Sequence, residues 1–386
     1  MENKIKKKMK ILIVTHYFLP HKGGIEFVAY NQAKELIKKG HKVTIVSSKI
    51  GDEPEEEIMD GIKIRRVKAW NYFEDKQGVP YPIYSPKIFS VTNEEAKTAD
   101  IVHVHDLFYL SPFAGAIASQ INKKPLVLMQ HVELVKTKRP MVNLIQRLVY
   151  WTYGGYILKK ADNLIVCNEK VKGWLKNPNK TIMINNGVDT KLFNPVSKEQ
   201  KIKLREKYNL PLNKPIILFV GRLVEKKGFD KLFEARSKDY LILLVGLGEI
   251  PDYMKKDKNV LFMNSMQQDK LSEIYQLADV FCLPSINEGF PLTILEAMAT
   301  GLPIVTSDNP GYEDYIDRKF VKLINSTPEK IKSVIKEVLN NKKMMEEMSN
   351  YSRKEAVKKF SWENNSKDLL KIYNQVIKQN NHDSKK

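Results

Sequence analysis

Short runs of β-branched and aliphatic residues alternate with stretches of helical periodicity along this chain, and the alternation occurs twice. The first series reads KILIVTH, KVTIVSS, IKIRRVKA, DIVHVHD, PLVLMQHV, NLIVCN and TIMINNG, with helical patterns near 25–39, 86–99, 110–121 and 141–160. It breaks in a Pro- and Lys-rich connection over 188–214. A second series follows, IILFVGR, LILLVG, VLFMNS, VFCLPS, LPIVTSD and VKLIN, with helices near 227–237, 269–278 and over PLTILEAMAT. Strands that are apolar along their whole length are covered on both faces, which calls for intervening helices and a parallel sheet. The predicted fold is α/β, with two doubly wound, Rossmann-like domains over 1–195 and 196–361. A last helix near 362–380, starting at a Ser361 cap, is expected to pack back on the first domain, and the polar end beyond it to fray. Sheets of this kind bind ligands outside the carboxyl ends of their strands, so the chemistry is expected just after strands, in a cleft.

The 386 residues suffice for two domains. A hydrophobic share of 42% and a charged share of 28% are those of a globular chain, and no apolar run nears the ~20 residues of a membrane-spanning helix. The basic opening MENKIKKKMK leads into the first strand without a small-residue cleavage site, so it reads as a tail, and Met9 is a second candidate start. Cys167 and Cys282, the only cysteines, lie in apolar runs, which suits buried thiols in a reducing, cytoplasmic setting. The formal charge of +19 admits nucleic acid, an anionic lipid surface or a phosphorylated substrate as partner, or simply a lysine-rich solvated surface. No RNA-binding aromatic signature, zinc-knuckle spacing or helix-turn-helix cue occurs, and nucleic acid is not expected.

In EGFPLTILE, Glu288 and Glu296 stand eight positions apart with no other charge between them. Pro291 suits the first helical position, Gly301 suits the close, and Glu296 is then the sole charge on an apolar helix. It shares a face with Leu292 and Thr293 in the first turn, roughly 6 Å away along the axis. Free amides and the helix dipole make that turn an anion site, so a phosphate there and a diol on Glu296 would satisfy both. The alternative is a buried Lys or Arg paired with Glu296 and a solvated Glu288. In LFVGRLVEKKGFD, Arg222 follows a strand directly and Lys227 precedes the next helix. Two cations there can hold a diphosphate and stabilise it as a leaving group. Surface pairing with Glu225 is the alternative.

These blocks, GRLVEKKG, VGLGE and LPSINEGFPLTILEAMATGLPIVTSD, together with HYFLPHKGGIEFVAYNQAKELIKKGHKVTIVS and INNGVDTKLFNP, resemble the retaining family 4 glycosyltransferases of the GT-B fold, over essentially the whole chain. The resemblance implies two Rossmann-like domains facing a cleft. It implies that Arg222 and Lys227 clamp the donor diphosphate, with the amides of Leu292 and Thr293 adding to it. Glu296 would take the ribose hydroxyls and Glu288 those of the transferred sugar, while the Gly23-Gly24 loop approaches the donor. His131 would reach the donor sugar or the reacting centre, with His103, His105 and Asp106 behind it. Two departures touch the nucleobase side: few residues separate Gly228 from the strand at Leu241, and no proline follows Gly248 directly. No Asp-x-Asp and no further ligand at metal spacing occurs, and with two cations on the diphosphate neither metal nor other cofactor is expected.

The implied activity is transfer of a hexose-type sugar from a UDP- or GDP-linked donor to a saccharide or lipid-linked acceptor, in the biosynthesis of cell-surface glycan or glycoconjugate. Retention is expected by front-face departure of the diphosphate, with Glu288 as covalent nucleophile the less favoured route. A sugar-nucleotide epimerase and a catalytically silent glycan- or nucleotide-binding partner are the alternatives. For the acceptor, AWNYFEDKQGVPYPIYSPKIFS gathers Trp70, Tyr72, Phe73, Tyr81, Tyr84 and Phe89 near lysines, which suits a saccharide or an anionic membrane surface, with a peripheral location at the cytoplasmic face. The stretch over 141–160 is a second candidate surface, read here as a core helix.

Overall fold

The computed structural model describes residues 8–21, 23–77, 81–134, 140–175, 178–286, 288 and 290–383. The basic tail over 1–7, three residues of the aromatic segment at 78–80 and the last three positions lie outside them. The chain divides into two compact units, one formed by Met1–Asn185 with Trp362–Lys386, the other by Asn186–Ser361.

The first unit opens with β1 (Lys10–Val14), α1 (Gly24–Lys38) and β2 (Lys42–Lys49), followed by β3 (Glu56–Met59) and β4 (Ile62–Trp70). Next come α2 (Tyr72–Gln77), β5 (Ile83–Tyr84), α3 (Lys87–Thr98), β6 (Ile101–His105), α4 (Leu110–Ile121) and β7 (Leu126–Gln130). The unit continues through α5 (Pro140–Val149), a π-helical turn over Tyr150–Gly154, α6 (Gly155–Lys160), β8 (Asn163–Val166), α7 (Glu169–Leu175) and β9 (Thr181–Met183). Its strand order is β3-β4-β2-β1-β6-β7-β8-β9, with β5 on β4. Pairing is parallel except where β3 and β5 meet β4. Stepping outward from β1 in both directions is double winding, and it leaves β1, β6, β7 and β8 covered on both faces. That is why Ile11–Val14, Ile101–His105 and Leu126–Gln130 are buried without interruption.

The second unit contains α8 (Lys198–Lys207), β10 (Ile216–Val220), a 3-10 turn over Glu225–Lys227, α9 (Phe229–Glu234), β11 (Leu241–Gly246), α10 (Asp252–Lys255) and β12 (Val260–Asn264). There follow α11 (Gln268–Leu277), β13 (Val280–Leu283), α12 (Leu292–Ala299), β14 (Ile304–Ser307), β15 (Lys322–Ile324), α13 (Pro328–Asn340) and α14 (Lys342–Lys359). All six strands are parallel, in the order β12-β11-β10-β13-β14-β15.

The chain then returns to the first unit as α15 (Trp362–Asp383). Its packing there is specific: Trp362 meets Phe27 edge-on at 6.5 Å, Gln32 donates to Asn365 at 3.1 Å, and the Tyr373 hydroxyl lies 2.6 Å from His103 Nδ1.

Four sequence expectations need correction. The division falls at 185/186 rather than 195/196, because the residues between are bound into the second unit. Val188 bridges to Ser361, Phe193 packs against Tyr275, and Arg353 donates to the carbonyls of Thr190 and Phe193. The helix near 227–237 is a 3-10 turn and a shorter helix, interrupted at Gly228, whose φ of +73° no helix accommodates. Pro291 is the N-cap of α12, with extended backbone, and not its first helical residue. The 141–160 stretch is core only in its second half: no residue of α5 is buried, whereas Ile157 of α6 is. The apolar residues of α5 gather on one side, which no neighbour covers among the described residues.

Candidate active site

In the second unit the strand ends are brought together by backbone contacts between two loops. Gly228 lies in left-handed conformation so close to Pro284 that a Cβ there would stand 2.3 Å from the proline carbonyl oxygen. Beside it, the Ile286 amide donates to the Lys226 carbonyl at 2.9 Å. The loop after β10 is thereby fastened to the loop after β13. A third loop joins them, since Asn309 donates to the Ser285 carbonyl at 3.1 Å.

That fastening sets Lys227 against Glu288, with Nζ 3.0 Å from Oε1, while Lys226 lies 3.8 Å from the same oxygen. Burial lowers the Lys227 pKa; the Glu288 charge opposes the shift, and the charges of Lys226 and Arg222 add to it. Arg222 is exposed, just past β10. Pairing with Glu225, the alternative weighed from sequence, is not what Lys227 does. The carboxylate it meets comes from the other motif.

Glu296 sits one turn into α12 and is 7% exposed. No cation pairs with it among the described residues. Its partner is Tyr275, whose hydroxyl lies 2.8 Å from Oε2 and 3.2 Å from the Thr293 carbonyl. Burial pushes the Glu296 carboxyl up to about 7, only partly offset by the tyrosine. Leu292 and Thr293 form the first turn of α12, and Pro291 at the cap supplies no side-chain acceptor for their amides. Tyr275 comes from α11, which no sequence signal linked to Glu296; its place in an apolar helical pattern reads as core alone.

The first unit holds its own cluster at the ends of β6 and β7. His103 and His105 stack at 4.5 Å between ring centres, as their alternation on one strand implies. His105 Nδ1 then lies 2.9 Å from His131 Nε2, with the rings nearly parallel. Asp106, at φ +59°, receives the His131 backbone amide on Oδ1 at 2.9 Å. Burial keeps the three histidines neutral, lowering His103 to about 3, His131 to about 4 and His105 well below its ordinary value, and it raises Asp106 to about 7.

Gly23 caps α1, and a Cβ there would stand 2.3 Å from the Glu26 carboxylate. Gly24 faces open space. The nearest reason for the first glycine is thus Glu26, a buried acid the sequence reading overlooked. Glu26 lies 2.6 Å from His21, whose other nitrogen is 3.2 Å from Glu74 on α2. Burial opposes charge on His21, but the two carboxylates outweigh it and raise its pKa.

The aromatic segment is divided. Trp70 and Tyr72 are exposed, Phe73, Tyr81 and Phe89 are half-buried, and Tyr84 is core, its hydroxyl donating to the His16 carbonyl. Tyr84 therefore cannot touch an acceptor: strand pairing of β5 with β4 turns it inward. Among the described residues, no group of three His, Cys, Asp or Glu side chains is placed to hold a metal ion, and no helix is long and apolar enough to cross a membrane.

Two parallel-sheet units, one with Lys226 and Lys227 meeting Glu288 beyond its strand ends, define an α/β protein of the GT-B class. Comparison with known families agrees. The model described as Glycosyltransferase Family 4 matches residues 22–192, and that described as Glycosyl transferases group 1 matches 200–355. The chain belongs to the family 4 glycosyltransferases of the GT-B fold. An uncharacterized glycosyltransferase of Methanocaldococcus jannaschii is 26% identical, over 95% of this chain and 98% of its own. The D-inositol 3-phosphate glycosyltransferase of Corynebacterium urealyticum is 24% identical, over 91% and 90%. Among solved structures, Anabaena HepE in complex with UDP and glucose superposes with a TM-score of 0.75 at 18% identity, over 95% of this chain and 100% of that one.

Proposed function

We propose that the chain transfers a hexose-type sugar from a nucleotide-diphosphate sugar to a saccharide or lipid-linked acceptor, with retention, in cell-surface glycan or glycoconjugate synthesis at the cytoplasmic face of a membrane. The observation that carries this reading is the Lys227–Glu288 contact, since it joins the two motifs that the reading assigns to the donor. Burial disfavours the Lys227 ammonium, and the charge of an arriving diphosphate would offset that cost as Glu288 does in its absence. Arg222 and Lys227 hold the diphosphate, the amides of Leu292 and Thr293 add the helix end, and Glu296 accepts from the ribose hydroxyls. Glu288 then moves from Lys227 to the hydroxyls of the sugar.

As the glycosidic bond to the diphosphate lengthens, positive charge grows on the sugar ring and negative charge on the leaving oxygen. The two cations offset the latter, and that oxygen takes the acceptor proton on the face it leaves. No step requires a metal where two side-chain cations already meet the diphosphate. His131, kept neutral by burial, is assigned to hydrogen bonding rather than to acid catalysis. HepE, solved with UDP and glucose, supports a uridine donor, and the inositol-phosphate relative supports a hydroxylated acceptor. Release of nucleoside diphosphate from UDP- and GDP-sugars is the test. It is expected to disappear in Glu288→Ala and Arg222→Ala variants that melt like the parent; unchanged turnover in both contradicts the assignment.

A further inference from the structure

Among the described residues, α5 presents an apolar face that no element covers. Met141, Leu144, Ile145 and Leu148 are between 48% and 66% exposed, and Trp151 in the following turn is 76% exposed. Spacings of three, four, seven and ten from Met141 set all five on one side of the helix. The other side is anchored: Tyr150 packs against Trp174 at 5.2 Å and Tyr153 stacks on Phe113 at 4.5 Å. Five large apolar side chains in one stripe are more than the scattered exposure ordinary on a protein surface.

The charge beside the stripe narrows what covers it. Residues 140–160 contain Arg147, Lys159 and Lys160, all exposed, and no acidic side chain, in a chain of net charge +19. A second copy docked about a two-fold axis would bring the same positive groups face to face. An anionic lipid surface offers the opposite charge and accepts a single convex helix without needing a matching groove. Tyr150, Trp151 and Tyr153 supply amphipathic rings suited to the headgroup level.

We propose that α5 and the turn after it form an in-plane anchor whose Met141–Trp151 face enters an anionic lipid surface. The inference rests on the transferase reading only in giving that anchor a purpose, delivery of a lipid-linked acceptor. It transfers the membrane role from the aromatic segment at 69–90 to a helix whose face is fully displayed.

The full-length chain would be sedimented with phosphatidylcholine vesicles and with vesicles about one-third phosphatidylglycerol. At low salt the anionic vesicles are expected to carry down at least about tenfold more protein, an excess lost as salt is raised. Leu144→Asn with Leu148→Asn should abolish binding while keeping the melting temperature and nucleoside-diphosphate release, since neither residue is in the donor site. Trp151→Phe should remove the emission blue shift seen with vesicles. Equal binding by the double variant, or none by the parent, overturns the anchor, as does light scattering that shows a parent dimer the variant abolishes without vesicle binding. Turnover read in the same samples tests the transferase reading separately.

Discussion

Glu296 is an acid kept partly protonated by burial, and the sign of its effect on stability follows. With a folded value of about 7 against 4.5 for the free group, the folded chain binds the extra proton between those limits. Stability is therefore greatest below 4.5, falls as pH rises through the interval, and carries the full cost above about 7. That cost is roughly 3 kcal/mol. Glu296→Gln is expected to raise the melting temperature at pH 8, to leave it unchanged near pH 4, and to weaken nucleoside-diphosphate binding; calorimetry with titration reads all three. At Glu288 the expectation is reversed for binding. Glu288→Gln removes a carboxylate from Lys227 and should tighten free nucleoside diphosphate while ending transfer, as isothermal titration beside a turnover assay would reveal. His105 positions His131 by holding Nε2, so His105→Ala should lower turnover about tenfold with nucleotide affinity intact. The pairs that spacing made legible, Arg222 with Lys227 and Glu288 with Glu296, depend on strand and helix periods. Tyr275, Glu26 and His21 depend on which elements become neighbours, and their local patterns say only core or loop.

The loops around the donor site are set by glycines more than by side chains. A Cβ on Gly246 would fall 1.7 Å from the Gly221 carbonyl oxygen, so β11 and the end of β10 close on each other only without one. At Gly228 both the backbone angle and the Pro284 carbonyl forbid a side chain. Gly228→Ala should cost at least about 2 kcal/mol in urea unfolding and weaken nucleotide binding as the two loops part. Gly24→Ala, in open space, should leave stability within about 1 kcal/mol of the parent. Elements were readable where strands are apolar throughout. At α5 the periodicity marks an apolar side without showing whether a neighbour covers it, and after Lys227 one left-handed glycine divides a continuous pattern.

At the scale of the molecule, the chain leaves the first unit at Asn185 and returns at Trp362. The return matters to the first unit because α15 supplies Trp362, Asn365 and Tyr373 to Phe27, Gln32 and His103. A chain ending at Ser361 should lose the first unit's cooperative melting while the second still binds nucleotide. Double winding in each unit was legible from the repeated strand series; the exact division was not, because 186–195 has no strand and is held by contacts from α14 and α11. The central claim is that the second unit's strand ends bind the donor through Arg222, Lys227, Glu288 and Glu296. Its most direct test is differential scanning calorimetry of the parent and of Arg222→Ala/Lys227→Ala with and without UDP and GDP. A nucleotide-dependent upward shift of one transition in the parent, absent from the double variant, is the predicted result. The same shift in both chains, or no shift with either nucleotide, would contradict the account.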